Sequence, residues 1–205
     1  MRSQWSLVIA LTMVLTAFPS GASAQVDLPR IPDPVPVELP VATTAFLVLD
    51  IQDSNCLRRP ACVESLPAMA NLLERARQAK VLVVYTGTPA SILPEVAPRE
   101  GEPIPATSGG DKFYNSDLDQ ILKDAGITTL LLVGTTAVNA VVNTAFAATQ
   151  RGYTVVVAED GISADNDFQV FYARYHLLLQ NLQNVPLTPR AATLTRMDMV
   201  TFVGE

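Results

Sequence analysis

Four short apolar runs fix most of what this chain can become: "TTAFLVLD" (43–50), "KVLVVYT" (80–86), "TTLLLVG" (128–134) and "YTVVVAED" (153–160). Each is nearly continuous in hydrophobicity rather than alternating, the pattern of strands buried on both faces. Between the first two, Leu66, Met69, Leu73 and Ala76 recur at helical spacing. Pro67 is expected in the first turn of that helix, where a missing N–H has no partner to lose. Between the last two, Val138, Val141, Val142, Ala145 and Phe146 repeat the spacing, and Gly152 stands where the helix should end. Phe168, Phe171, Tyr172, Tyr175, Leu179 and Leu182 form a third helical stripe. Alternation of this kind predicts a single-domain α/β fold: a parallel sheet with helices on both faces and right-handed crossovers. "MDMVTF" near the C-terminus reads as a last short strand.

Three segments break the rhythm. At the start, Arg2 precedes an apolar stretch (7–18) that ends in the small-residue pattern Ala22-Ser23-Ala24, which marks residues 1–24 as a secretory signal cleaved before Gln25. The apolar stretch is shorter than the ~20 residues a spanning helix needs, so a periplasmic or secreted chain with no membrane association after signal removal is expected. Residues 25–42 carry Pro29, Pro32, Pro34, Pro36 and Pro40, which forbid helix and favour an extended arm. It is either a spacer or a strap lying on a partner subunit. The domain proper is read as 43–205. Inside it, "GTPASILPEVAPREGEPIPATSGGDKF" has many Pro and Gly and no period; a run this long in a compact domain is usually a functional loop.

With 205 residues and 49% of them hydrophobic, the chain can bury one good core. The formal charge is −6, and no basic cluster denser than "CLRRP" exists to track phosphates, so no nucleic-acid partner is expected. A single His and no carboxylate–histidine cluster argue against a metal site, and no cofactor is expected. Cys56 and Cys62, six residues apart in an exported chain, read most simply as a disulfide. Buried free thiols, or a thiolate activated by Arg58 and Arg59, are the alternatives.

In an open parallel sheet, ligands sit outside the carboxyl ends of the strands. Asp50 ends the first run, where burial after "FLVL" suits a carboxyl to proton transfer; capping a following turn is its other use. Lys112 is the only lysine of the long loop and could neutralise Asp50 or bind a substrate oxyanion. Thr86, Phe113, Tyr114, Val138, Asn139 and Asn143 are candidates to line a pocket, Asn143 sharing a helix face with Ala140. His176 flanks the last helical stripe and reads as a packing or surface residue.

"FLVLDIQ", then Lys112 in "KFYNSDLDQILKDAGI", then "LLLVGTTAVNAVVNTAFAATQRGYTVVVAEDGISA" resemble, in order, the three signature blocks of the isochorismatase-like superfamily, also called cysteine hydrolases. The resemblance implies a Rossmann-like three-layer sandwich and hydrolysis of amides, ureides or related C–N bonds by Asp, Lys and Cys. Asp50 matches the family aspartate and Lys112 the family lysine. The nucleophile falls at Ala140, whose methyl group can form no covalent intermediate. A non-proline cis peptide is implied within 134–137, and family metal sites use an aspartate with two histidines that this chain lacks.

True isochorismatases of that superfamily also lack the cysteine, and cleave a vinyl ether by protonation from the aspartate followed by water addition. The implied reading is an exported hydrolase of a small polar molecule using Asp50, Lys112 and water, with backbone N–H groups at 138–140 as an anion cradle. The substrate is left open, because isochorismate is a cytoplasmic metabolite. The alternative is an inactive member that binds a small molecule. Relatives commonly self-associate, so a homo-oligomer is expected.

Overall fold

The computed structural model describes residues 27–179 and 192–204. Inter-residue contacts divide the chain into 1–30 and 31–205, and every element below belongs to the second unit. The signal segment and Leu182 lie outside the described residues.

The first apolar run forms β2 (Thr44–Leu49), preceded by a short β1 (Val37–Pro40). After a single turn, α1 (Asp53–Cys56), comes α2 (Pro60–Gln78), then β3 (Leu82–Thr86), α3 (Leu118–Asp124), β4 (Thr129–Thr135), a π-turn at Ala137–Val141 and α4 (Val142–Gln150). The chain ends with β5 (Thr154–Ser163), α5 (Asp167–Leu179), β6 (Thr193–Thr195) and β7 (Val200–Val203). Five strands make one all-parallel sheet in the order β3-β2-β4-β5-β6.

Every residue of β2 is buried because the pleat sends alternate side chains into two separate cores. Ala45, Leu47 and Leu49 join Leu130, Leu132, Val155 and Val157 under α3, α4 and α5. Phe46 and Val48 join Leu131, Val133 and Val156 against Leu66, Met69, Leu72 and Leu73 of α2. The continuous hydrophobicity of the four runs is thus the signature of a sheet covered on both sides.

Four details depart from the sequence expectation. The helix containing Pro67 starts at Pro60, so Pro67 lies two turns inside it and leaves the Val63 carbonyl without its usual N–H. The missed start signal was Pro60 itself, at the first helical position. Part of the proline arm is more than a spacer: residues 37–40 pair in parallel with β7 of the same chain, forming a separate two-stranded sheet. "MDMVTF" begins as a 3-10 turn (Met197–Met199) before β7, and β6, only three residues long, is the strand that completes the main sheet. Finally, β5 runs past Asp160 to Ser163 by bulging. Leu132 pairs with Val157 but Gly134 with Ile162, which ejects Glu159 and Asp160 from the ladder. There Arg174 holds Glu159 at 2.7 Å, and Asp160 accepts the Met197 N–H.

Candidate active site

At the end of β2 the chain turns sharply. Asp50 adopts a left-handed conformation (φ 53°), unusual for a residue other than Gly or Asn, and this swings its side chain to the rim of the sheet. The neighbouring strand makes room for the turn. Gly134, opposite Leu49 in the ladder, has φ +153°, and a Cβ on it would lie 2.4 Å from the Leu49 carbonyl oxygen. A glycine is therefore required where β4 passes the end of β2.

The Asp50 carboxylate is held from two sides. The Thr86 hydroxyl, at the end of β3, donates to Oδ1 at 2.7 Å and accepts the Asp50 N–H at 3.2 Å. Lys112 Nζ lies 2.6 Å from Oδ2, with side-chain exposures of 5% for the lysine and 13% for the aspartate. Two residues 62 positions apart in sequence thus form a nearly buried ion pair. Lys112 is fixed in turn: Nζ donates to the Gly109 carbonyl at 2.9 Å, and its backbone N–H donates to Thr144 Oγ1 at 3.2 Å. Thr144 also donates to the Gly110 carbonyl at 3.2 Å, tying the lysine loop to α4 one turn beyond Ala140.

The pair opens into a cleft of about 570 Å³ lined by Asp50, Gln52, Gly87, Thr88, Pro89, Ile104, Ala106, Thr107, Gly109 and Lys112. This is ample for a small metabolite. The long loop after β3 supplies most of this wall. Its two 3-10 turns, Pro89–Ser91 and Pro94–Val96, are anchored by buried Ile92, Leu93 and Val96, and Leu93 N–H donates to the Ile51 carbonyl at 3.2 Å.

Several sequence candidates lie elsewhere. Phe113 is buried in the core, stacked on Tyr153 with centroids 5.9 Å apart and with the Arg151 guanidinium 4.7 Å above its ring, so the chain turns it away from the lysine's side of the loop. Tyr114 is 61% exposed. Asn139 and Asn143 are bonded to each other at 3.0 Å and pack over Gly110, and with Val138 they fall outside the cleft lining. Ala140 sits in the π-turn and is buried. The N–H groups of Asn139 and Val141 are occupied by the Thr136 carbonyl, which weakens the expected anion cradle there. Thr86 serves the aspartate rather than the cleft. Thr135 and Thr136 are joined by a cis peptide, within the stretch where one was expected. His176 is half-buried and stacks on Tyr172.

Cys56 and Cys62 are joined in a disulfide that closes the α1–α2 corner. Between them, Arg59 is buried, donates to the Asn55 carbonyl and pairs with Asp165 at 2.7 Å, linking this corner to the loop after β5. Sequence reading missed Gln52, Gly87, Thr88 and Thr107. The "DIQ" in the first signature block was the available signal for Gln52.

This is a three-layer α/β fold with a carboxylate–ammonium pair at the carboxyl edge of its sheet, where open parallel sheets bind their ligands. Within this fold class, the family model "Isochorismatase domain" matches residues 44–177, and the chain belongs to the isochorismatase family. A curated relative, the "Secreted isochorismatase effector Isc1" of Verticillium dahliae, is 33% identical over 112 residues, covering 48% of this chain and 59% of that protein. The chain thus spans somewhat over half the length of this relative. Among solved structures, an isochorismatase family protein from Desulfovibrio vulgaris superposes with a TM-score of 0.67 at 21% identity, covering 77% of this chain and 95% of that one. The N-carbamoylsarcosine amidase of Thermoplasma acidophilum superposes with a TM-score of 0.61 at 24% identity, covering 76% and 97%. At such identities these neighbours establish the fold.

Proposed function

We propose that this protein is an exported hydrolase that cleaves an enol ether of the isochorismate type with Asp50, Lys112 and water. The observation that carries the reading is the Asp50–Lys112 pair at 2.6 Å facing a metabolite-sized cleft; the resemblance adds that Ala140 stands at the family's nucleophile position. Without a thiol at that position, the cysteine route to an acyl intermediate has no starting group there. An acid route needs none. The Asp50 carboxylate first takes up a proton from solvent and, as the carboxylic acid, delivers it to the terminal vinyl carbon, leaving an oxocarbenium ion at the ether-bearing carbon stabilised by the ether oxygen. Water adds to the ether-bearing carbon and returns its proton to the Asp50 carboxylate; the hemiketal then collapses, its hydroxyl proton passing to the departing oxygen as the C–O bond breaks to give pyruvate and a ring alcohol. Lys112 balances the carboxylate's charge through the cycle and fixes its position.

The relative's name couples secretion with isochorismatase, which supports reading export and this substrate class together. The amino-terminal signal pattern supports the same reading of export. The test is turnover of isochorismate by the purified chain, followed as pyruvate. Wild-type activity that falls at least a hundredfold in Asp50→Asn supports the reading. Saturable stabilisation by isochorismate with no product would instead indicate an inactive binder.

A further inference from the structure

Gln52 stands two residues after Asp50, at the mouth of the same cleft. Its backbone is fixed on both sides. The N–H donates to the Asp50 carbonyl at 2.8 Å, and the carbonyl accepts the N–H groups of Asn55 at 3.1 Å and Cys56 at 2.7 Å. Its side chain is fixed as well: Oε1 accepts the Thr88 N–H at 3.0 Å. That bond decides which way the amide faces, because the flipped rotamer would set two donors against each other. The amide nitrogen lies over Gly87, where a Cβ would come within 2.5 Å of Nε2. Gly87 has φ +113°, so both its conformation and its lack of a side chain seat this amide.

Nε2 has no hydrogen-bond partner among the described residues, while Oε1 is committed to Thr88. Lys112 Nζ already meets Asp50 and Gly109, and the Thr86 hydroxyl meets Asp50. A pre-oriented amide donor on the wall of a cleft can exchange water for a ligand's acceptor without reorganising its own side chain.

Building on the reading of this cleft as the substrate site, we infer that Gln52 is a specificity-determining residue whose Nε2 donates to an oxygen acceptor of the substrate, a carboxylate or carbonyl held across the cleft from the atom that Asp50 protonates. Recognition would thus be divided. Asp50 and Lys112 act on the reacting bond, and Gln52 fixes the far end of the molecule, so its loss weakens binding more than chemistry.

The experiment uses the full secreted chain, with Gln52→Glu and Gln52→Met. Gln52→Glu keeps an acceptor for the Thr88 N–H and so keeps the fold; Gln52→Met keeps the bulk and removes both groups. Benzoate and benzamide serve as non-reacting probes, one offering a carboxylate and the other a carbonyl, titrated calorimetrically and followed by the Gln52 side-chain amide resonance. The expected result is binding of at least one probe with a shift of that resonance, weakened about tenfold by Gln52→Met. Gln52→Glu should abolish benzoate binding by charge repulsion and weaken benzamide about tenfold, so the two arms reveal which oxygen is preferred. With isochorismate, Gln52→Met should raise KM about tenfold while kcat stays within about twofold.

Unchanged probe affinity and KM in Gln52→Met would overturn the inference, as would failure of the wild-type chain to bind either probe. Probe binding that depends on Gln52 without isochorismate turnover would sink the proposed reaction and leave this inference standing. Asp50-dependent turnover indifferent to Gln52 would do the reverse.

Discussion

Replacing Asp50 by Asn isolates the charge at the centre of the site. Asn is among the residues that tolerate positive φ, so the turn at 53° survives, and its carbonyl can still accept from the Thr86 hydroxyl. What changes is opposite Lys112, where a negative oxygen at 2.6 Å becomes a neutral amide. Removing one partner of a buried ion pair costs about 3–5 kcal/mol, because the remaining charge stays desolvated. Lys112 retains the Gly109 carbonyl, and Asp50 keeps some solvent contact, so the low end applies: about 3 kcal/mol. At about 2–4 °C per kcal/mol for a domain of this size, Tm should fall by roughly 6–12 °C. Urea unfolding of wild type, Asp50→Asn, Lys112→Met and the double variant measures this as a cycle. The singles should each lose about 3 kcal/mol, and the double should lose well under their sum, with a coupling of about 2 kcal/mol. Additive losses, or a loss below about 0.5 kcal/mol in Asp50→Asn, would refute the reasoning.

Three further outcomes are expected. Gly134→Ala should lose about 3 kcal/mol or more in urea unfolding, since its Cβ meets backbone at Leu49 that cannot swing aside. Converting Cys56 and Cys62 together to Ala should lose about 2 kcal/mol, the chain entropy of a loop whose ends are six residues apart, measured against the oxidised wild type without reductant. Glu102 gives a pH dependence. Burial alone would push its carboxyl up, but hydrogen bonds from the Arg77 guanidinium and the Arg99 N–H outweigh that and hold it below its ordinary 4.5. Its folded value being depressed, its contribution is complete above the ordinary value and fades as pH falls through the lowered one. Glu102→Gln should therefore be less stable than wild type at pH 7, with the gap closing below about pH 4.5 in pH-dependent unfolding.

Much of this molecule is legible in its sequence because burial on two faces leaves a strong mark. Runs such as "FLVL" and "LLLV" admit few uses besides central parallel strands, and they placed four strands of the sheet correctly. β6 escaped because three residues carry no period, and the length of α2 escaped because its first turns, tied down by the disulfide, present few apolar residues to read. Asp50 and Lys112 each stood out, one at a strand end and one as the only lysine of the long loop, and the resemblance of three blocks strengthened both; nothing in their spacing says that they meet. The cleft wall was hardest. Gln52, Thr88 and Thr107 belong to it because a loop of some 25 residues folds back over the strand ends, a path set by tertiary contacts such as Leu93 to Ile51. Phe113 shows the same limit from the other side. An aromatic beside a site lysine invites a ligand role, yet Tyr153 and Arg151 claim it for the core.

In the proposed reaction Asp50 protonates the vinyl carbon and water then attacks the pyruvyl side of the ether, and an oxygen label tests this directly. Isochorismate is turned over in ¹⁸O-water by the wild-type chain, and the ring alcohol is analysed by mass spectrometry. The expected result is a ring product carrying no label, formed at least a hundredfold more slowly by Asp50→Asn. Label in the ring hydroxyl, or an Asp50→Asn rate equal to wild type, would contradict it.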